Sequence, residues 1–357
     1  MSTRSDIVLN RICERAAEGG ATEVYLFPAR VPSLRLYGQI VFLVNEEVLS
    51  ISLIEEIADF LLSPEEKKEL EGKRQFVKVK EIGKIGGVEV RFTFEEGQLS
   101  ISLKLLSRQL EDLEKIDLPS VVKNFTYLSQ GVVFIAGPRD AGRSTLAASL
   151  LDYINKNQTR FIATVEEPIR YKLKSDKSVI EQREVGKDVF SFKEGISHIK
   201  RRNVDVAYIS SCLEPEILEE LLSLAEAGIL VFTIFNAESS IKTINRIINF
   251  FPSDKKDSIR YLLADNLGGV IATRLVPKSG GAGRVRALEI LPGSATVKGL
   301  IAENKISQLK NILEMGTDNA VFLDRHLSDL VSAGEITYED GLRYSLNKDR
   351  FNSLVRR

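Results

Sequence analysis

Between residues 131 and 145 the chain reads Gly-Val-Val-Phe-Ile-Ala-Gly-Pro-Arg-Asp-Ala-Gly-Arg-Ser-Thr. Gly137 and Gly142 bracket Pro138, Arg139, Asp140 and Ala141, and a cation, Arg143, follows with two hydroxyls, Ser144 and Thr145. Glycines at that spacing let the backbone approach an anion closely. Their N–H groups can then converge on a phosphate at the start of a helix. The implied chemistry is the holding of a phosphorylated ligand. The phosphate-loop pattern G-x-x-x-x-G-K-[ST] is met at every fixed position but one, where Arg143 replaces lysine. Lysine is a compact ammonium, whereas arginine is planar, longer and forked, so the exchange is not conservative in a tight enclosure. Asp140 also lies in the loop, where its carboxylate would repel a polyphosphate unless Arg139 screens it. Taken alone, the stretch is equally compatible with a strand–turn–helix that holds no ligand.

Such a loop needs a buried strand before it and a helix after it. Residues 132–136 are a short apolar run suited to a buried strand, and Leu146, Ala147, Leu150 and Leu151 recur at helical spacing. Residues 161–165, 206–209 and 230–234 are further candidate strands with helical segments between them. That alternation predicts an α/β, mainly parallel sheet covered on both faces. The glycine-rich run 279–283 reads as a hairpin tip joining 269–275 to 285–291, and beyond Pro292 the chain turns helical, with Leu309, Ile312 and Leu313 on one face. Upstream, Ser5 or Asp6 caps a helix to about Ala17, and residues 23–27 and 34–43 read as strands, the latter broken by Gly38-Gln39. Residues 52–62 are an amphipathic helix. Ser63 and Pro64 open another that runs to Gly72. Residues 76–79, 88–94 and 99–105 alternate as half-buried antiparallel strands. The first 106 residues thus read as a small α+β domain, and residues 107–120 as a polar connector.

A length of 357 residues allows two or three domains. Apolar content of 43% and charged content of 28% are those of a soluble globular protein. The formal charge of −1 gives no support to nucleic-acid binding through bulk charge. Cys13 and Cys212 stand alone, which favours a reducing, cytoplasmic compartment, and His198 and His326 are too few for a histidine metal site. The N-terminal Met-Ser-Thr-Arg leads into an amphipathic segment rather than a signal peptide, and no apolar run approaches the ~20 residues of a membrane span.

Several stretches together resemble a known family. The Gly137-Pro138 loop, Thr164-Val-Glu-Glu-Pro-Ile169, Gln182-Arg-Glu-Val185, Leu230-Val-Phe, Lys242-Thr-Ile-Asn-Arg246, Phe251-Pro252 and residues 323–340 occur in one order over nearly the whole chain. This order is similar to the PilT, or pilus-retraction, branch of the PilT/GspE superfamily of type II/IV secretion ATPases. The resemblance implies an N-terminal PAS-like domain (1–106), a linker (107–120), a RecA-like P-loop ATPase domain (121–292) and a C-terminal helical subdomain (293–357). It also implies hexameric rings, with nucleotide between the two domains near a subunit boundary. Residues 137–145 would hold ATP or ADP, with Ser144 on the accompanying Mg²⁺.

The chemistry-bearing positions depart from that family. Its loop reads Gly-Pro-Thr-Gly-Ser-Gly-Lys-Ser-Thr, so Arg139, Asp140, Ala141 and Arg143 differ. Its acidic box survives as Glu166-Glu167-Pro168, which makes Glu166 the candidate to polarise the attacking water; the alternative is a solvated strand-end carboxylate. Its Walker B glycine and glutamate are Ser210 and Ser211 here, and a serine cannot accept a proton as a carboxylate does. Ile229 and Asn236 occupy its two histidine-box positions. Arg91 and Lys104 are the nearest candidates for the arginines of the N-terminal domain. Ser197 stands where the family often has arginine, and Arg201 matches another, although Lys200-Arg201-Arg202 also reads as a solvated helix end. A missing base costs about 10²–10⁴ in rate, and a missing arginine finger about 10³–10⁵. These losses are not simply multiplicative.

The resulting expectation is a PilT-like homologue with a weakened nucleotide site and little or no hydrolysis. It would be a regulatory or structural partner in pilus or secretion machinery, as a homo-hexamer or in hetero-oligomers with an active motor paralogue. It would be cytoplasmic, reaching the inner-membrane platform through a partner without inserting itself. Two alternatives stay open. One is an active ATPase in which Arg143 replaces lysine and Glu167 or Glu214 assists Glu166. The other is a nucleotide-independent interaction module.

Overall fold

The computed structural model describes residues 4–355 except 37, 84, 107–109, 111, 115–117, 213 and 282. The first three residues, much of the connector and Ala282 of the hairpin tip therefore lie outside the described residues. The chain divides into two compact units, residues 1–109 and 110–357.

The first unit begins with α1 (Arg4–Glu18), whose Leu9, Ile12, Cys13 and Ala16 fall on one buried stripe. Three short strands follow, β1 (Glu23–Leu26), β2 (Ser33–Leu36) and β3 (Gln39–Phe42). Ser50 accepts a hydrogen bond from the Leu53 amide and so starts α2 (Ile51–Leu61). Ser63 and Glu66 form a reciprocal capping box with Pro64 in the first turn of α3 (Pro64–Lys73). The strands β4 (Gln75–Ile82), β5 (Gly86–Glu95) and β6 (Gln98–Leu105) complete an antiparallel sheet of order β3-β2-β1-β6-β5-β4. Arg91 on β5 is paired within its own strand, donating to Glu89 Oε1 at 2.5 Å, and Lys104 lies on β6 opposite Glu23.

The second unit opens with a short helical turn, α4 (Val121–Asn124), and then β7 (Gly131–Ala136), α5 (Arg143–Asn157) and β8 (Phe161–Glu166). Next come β9 (Val179–Glu184), α6 (Phe192–Lys200), β10 (Val206–Ile209), α7 (Pro215–Glu226) and β11 (Leu230–Phe235). After α8 (Ser240–Asn249) and α9 (Lys256–Asn266), the hairpin β12 (Leu267–Pro277) and β13 (Arg284–Pro292) closes a sheet of order β13-β12-β7-β11-β10-β8-β9. All pairings are parallel except that of β12 with β13. Alternate residues of β7 enter opposite cores: Val132, Phe134 and Ala136 pack with α7 to α9, and Val133 and Ile135 with α5. That double burial is why the strand is continuously apolar.

The chain ends in α10 (Ala295–Ala302), α11 (Leu309–Met315), α12 (Leu323–Ser332), α13 (Tyr338–Tyr344) and α14 (Lys348–Val355). Val297, Ile301, Leu309 and Ile312 of α10 and α11 join the main core, whereas Leu323, Leu327 and Phe351 build a small separate core on Val276 and Ala287 of the hairpin. The pattern reading lacks the short turn α4, the strand β9 and the helix α14. As an edge strand, β9 needs no continuous apolar run, and its Glu181, Gln182, Arg183 and Glu184 hide the strand signal.

Candidate functional site

The buried strand β7 delivers the chain to Gly137, and α5 starts at Arg143 after Gly142 takes a left-handed conformation at φ 78°. A Cβ on Gly137 would lie 2.6 Å from the Thr273 carbonyl and 2.9 Å from Ala141 Cβ, so only glycine fits there. Gly142 offers no side chain to cap the first-turn amides of α5, which are without partners within the helix. Beneath the loop, Thr273 Oγ1 donates to the Ala141 carbonyl at 3.1 Å. The buried Arg286 donates to Thr273 Oγ1 at 2.9 Å and to the Gly142 carbonyl at 3.2 Å. The hairpin thus holds two loop carbonyls toward the sheet. Glycine-shaped space, uncapped helix amides and braced carbonyls together suit a phosphate group.

The loop's charges are arranged differently from the sequence expectation. Arg139 is exposed. Asp140, at φ 60°, acts electrostatically on Arg143 and on Arg284 of β13, raising the proton affinity of both. Arg143 is directed to the end of β11, where its Nη1–H donates to the Phe235 carbonyl at 3.0 Å. Burial, and after it the Arg170 guanidinium, hold Arg143 below the ordinary arginine range. Pro138 lies half-buried in the turn, and Thr145 Oγ1 is hydrogen-bonded to the Tyr171 hydroxyl at 2.9 Å.

Ser144 accepts a hydrogen bond from Arg170 Nη1 at 2.5 Å. The two line a cleft with Glu166, Glu167, Tyr171, Gln182, Tyr208 and Ser210. The residues around this hydroxyl are poorly suited to Mg²⁺. A guanidinium stands on it, Ser210 and Ser211 offer no charge, and the cleft's carboxyls are Glu166, already held by Thr164 and Gln182, and Glu167; among the described residues no group of three or more acidic, histidine or cysteine side chains could hold a metal. Ser210 instead accepts a hydrogen bond from the Glu167 amide at 3.1 Å and so fixes the turn after β8.

Glu166 ends β8 and is buried rather than solvated, with Thr164 Oγ1 donating to its Oε1 at 2.8 Å and Gln182 Nε2 at 3.1 Å. Burial pushes its carboxyl up to about 7 against the lowering effect of those hydrogen bonds and of Arg170. Gln182 also donates to the Tyr171 carbonyl and accepts from the Leu173 amide, so β9 shapes the cleft wall. Glu214 stands at the N-cap position of α7, without a side-chain capping bond, and does not line the cleft.

The remaining candidates serve the framework. Ile229 is buried ahead of β11, its carbonyl accepting from the Gly131 amide, and Asn236 is exposed just after β11. Ser197 lies on α6, and Arg201 is exposed at its C-terminal end. Lys200 pairs with Glu220, and Arg202 pairs with Glu181. Both cysteines are buried, free and pushed up to about 12 by burial. Arg170, Thr273 and Arg286 escape a motif reading because none falls at a motif position. Arg170 follows the acidic box, and that proximity was the available signal.

The glycine loop on a mainly parallel sheet, preceded by an α+β unit, defines a mixed α/β protein with an N-terminal domain followed by a RecA-like ATPase domain. Residues 94–321 match the family described as type II/IV secretion system protein, and the chain belongs to that family. A twitching motility protein of Neisseria gonorrhoeae is 34% identical over 66% of this chain and 64% of its own length. The type IV pilus retraction ATPase PilT of Pseudomonas aeruginosa is 29% identical over 91% of this chain and 94% of its own. A crystal structure of the pilus retraction motor PilT with bound ADP superposes with a TM-score of 0.82 at 30% identity, over 97% of this chain and 99% of that one. The sequence resemblance to the PilT-like branch is thereby borne out.

Proposed function

We propose that this chain is a PilT-like homologue that binds ATP and ADP through residues 137–145 and hydrolyses ATP little or not at all. It would act in type IV pilus or secretion machinery as a regulatory or structural partner of an active motor, in a ring of its own or in hetero-oligomers. In that role it would lie on the cytoplasmic side and reach the inner-membrane platform through a partner; no helix among the described residues is long and apolar enough to cross a membrane. The ADP in the PilT relative supports nucleotide as the ligand. The observation that carries reduced turnover is the commitment of the two loop side chains: Arg143 binds the Phe235 carbonyl and Ser144 accepts from Arg170.

Calorimetric titration with ADP and ATP, run beside a phosphate-release assay, tests the reading. Binding is expected with turnover at least about 10²-fold below the ~10 s⁻¹ of a median enzyme. Arg143→Lys is expected to tighten nucleotide binding by about tenfold, since an ammonium cannot keep the guanidinium's reach to Phe235 and is freer to face the loop. Unchanged or weaker binding in that variant would count against the assignment of Arg143.

One observation favours the active-enzyme reading. Glu166, pushed up to about 7, is matched to general-base work at neutral pH. Release at an ordinary ATPase rate, lost in Glu166→Gln, would establish it.

A further inference from the structure

We propose that Arg170 takes the place of a divalent cation, so that this site binds nucleotide without metal. The inference rests on the nucleotide-binding reading above and deepens it. Arg170 Nη1 lies 2.5 Å from Ser144 Oγ, the hydroxyl to which a phosphate loop would bring its metal. A guanidinium and Mg²⁺ cannot share that oxygen, because both are cations and both need the same lone pairs. The guanidinium is a planar fork of N–H donors, a geometry suited to phosphate oxygens.

The position of Arg170 is built into the fold. The Ile169 amide donates to Glu184 Oε2 at 3.1 Å, the Leu173 amide to Gln182 Oε1 at 2.7 Å, and Gln182 Nε2 to the Tyr171 carbonyl at 2.9 Å. Residues 169–173 are thus laid along β9 by its side chains, with Arg170 aimed at the start of α5. Arg143, the first residue of that helix, donates to the Phe235 carbonyl, and among charged groups Arg170 is its strongest opponent. The two guanidinium groups repel each other, and a phosphate bound by both would relieve the repulsion. The site therefore has two cations of its own, beside the cleft carboxyls Glu166 and Glu167, where a lysine and a metal would otherwise supply positive charge.

The experiment is calorimetric titration of the full chain with ADP, in excess EDTA and again in excess MgCl2. The two dissociation constants are expected to agree within about threefold. Arg170→Gln is expected to bind ADP at least about tenfold more weakly in EDTA, and to recover with MgCl2 as Ser144 is released. Wild-type binding that falls about tenfold or more in EDTA overturns the substitution of metal by Arg170 and leaves nucleotide binding standing. Equal affinity of wild type and Arg170→Gln in EDTA overturns it as well. Absence of ADP binding in both buffers overturns the proposed function and this inference with it. The wild-type comparison does not depend on how the variant folds.

Discussion

Glu166→Gln is expected to stabilise the protein by about 3 kcal/mol at pH 8 while removing any hydrolysis that Glu166 supports. The carboxyl rises from an ordinary 4.5 to about 7 because burial penalises its charged form. The folded chain therefore holds a proton that the unfolded chain releases between those two values. The sign follows: stability from this group is complete below pH 4.5 and falls as pH rises to about 7, by about 1.4 kcal/mol per pH unit. Above that range the charge stays buried and the cost is constant. Glutamine is neutral throughout, and its Oε1 can accept the same hydrogen bonds from Thr164 and Gln182. The difference in melting temperature between variant and wild type should be near zero at pH 4.5 and roughly 5–10 °C in favour of the variant at pH 8. Thermal unfolding across that range is the measurement. A difference that does not grow with pH would mean that Glu166 is not buried in this way. A gain in stability on disabling a chemical group is the trade expected of a site kept for function.

Gly137→Ala is expected to weaken ADP binding by at least about 10²-fold, or about 2.8 kcal/mol. Its new methyl group would lie 2.6 Å from the Thr273 carbonyl and 2.9 Å from Ala141 Cβ. Neither neighbour can yield cheaply. Thr273 sits within β12, paired to β13, and Ala141 is held through its carbonyl by Thr273 Oγ1. The loop itself must therefore move, and the geometry that directs its amides at an anion moves with it. Calorimetry with ADP reads the loss, and circular dichroism checks that the α/β unit remains folded. Retained affinity in a folded variant would show that residues 137–142 do not form the ligand's cradle. That result would favour the nucleotide-independent interaction module.

The sequence alone determined the elements whose periodicity is set by double burial or by local capping. Residues 132–136 are apolar throughout because β7 is covered on both faces, so its strand character needs no tertiary information. Ser63, Pro64 and Glu66 state where α3 begins, since a cap acts over three residues. The glycine spacing fixed the position of the loop, and the order of motifs along the chain identified the family. That Ser210 and Ser211 carry no carboxylate is likewise a fact of composition.

Only the tertiary structure decided where the charges go. A motif lists a cation at position 143, but its direction depends on the Phe235 carbonyl, 92 residues away. The hydroxyl of Ser144 is a metal ligand by pattern, yet Arg170, 26 residues on, lies against it. Glu166 reads as a strand-end carboxylate until Thr164, Gln182 and the surrounding burial give it a pKa near 7. Arg286 braces the loop from 144 residues downstream. The physical reason is common to all four. Helices and turns are set by neighbours in sequence, whereas the direction and protonation of a charged side chain are set by the dielectric and the partners around it, and the fold alone assembles those.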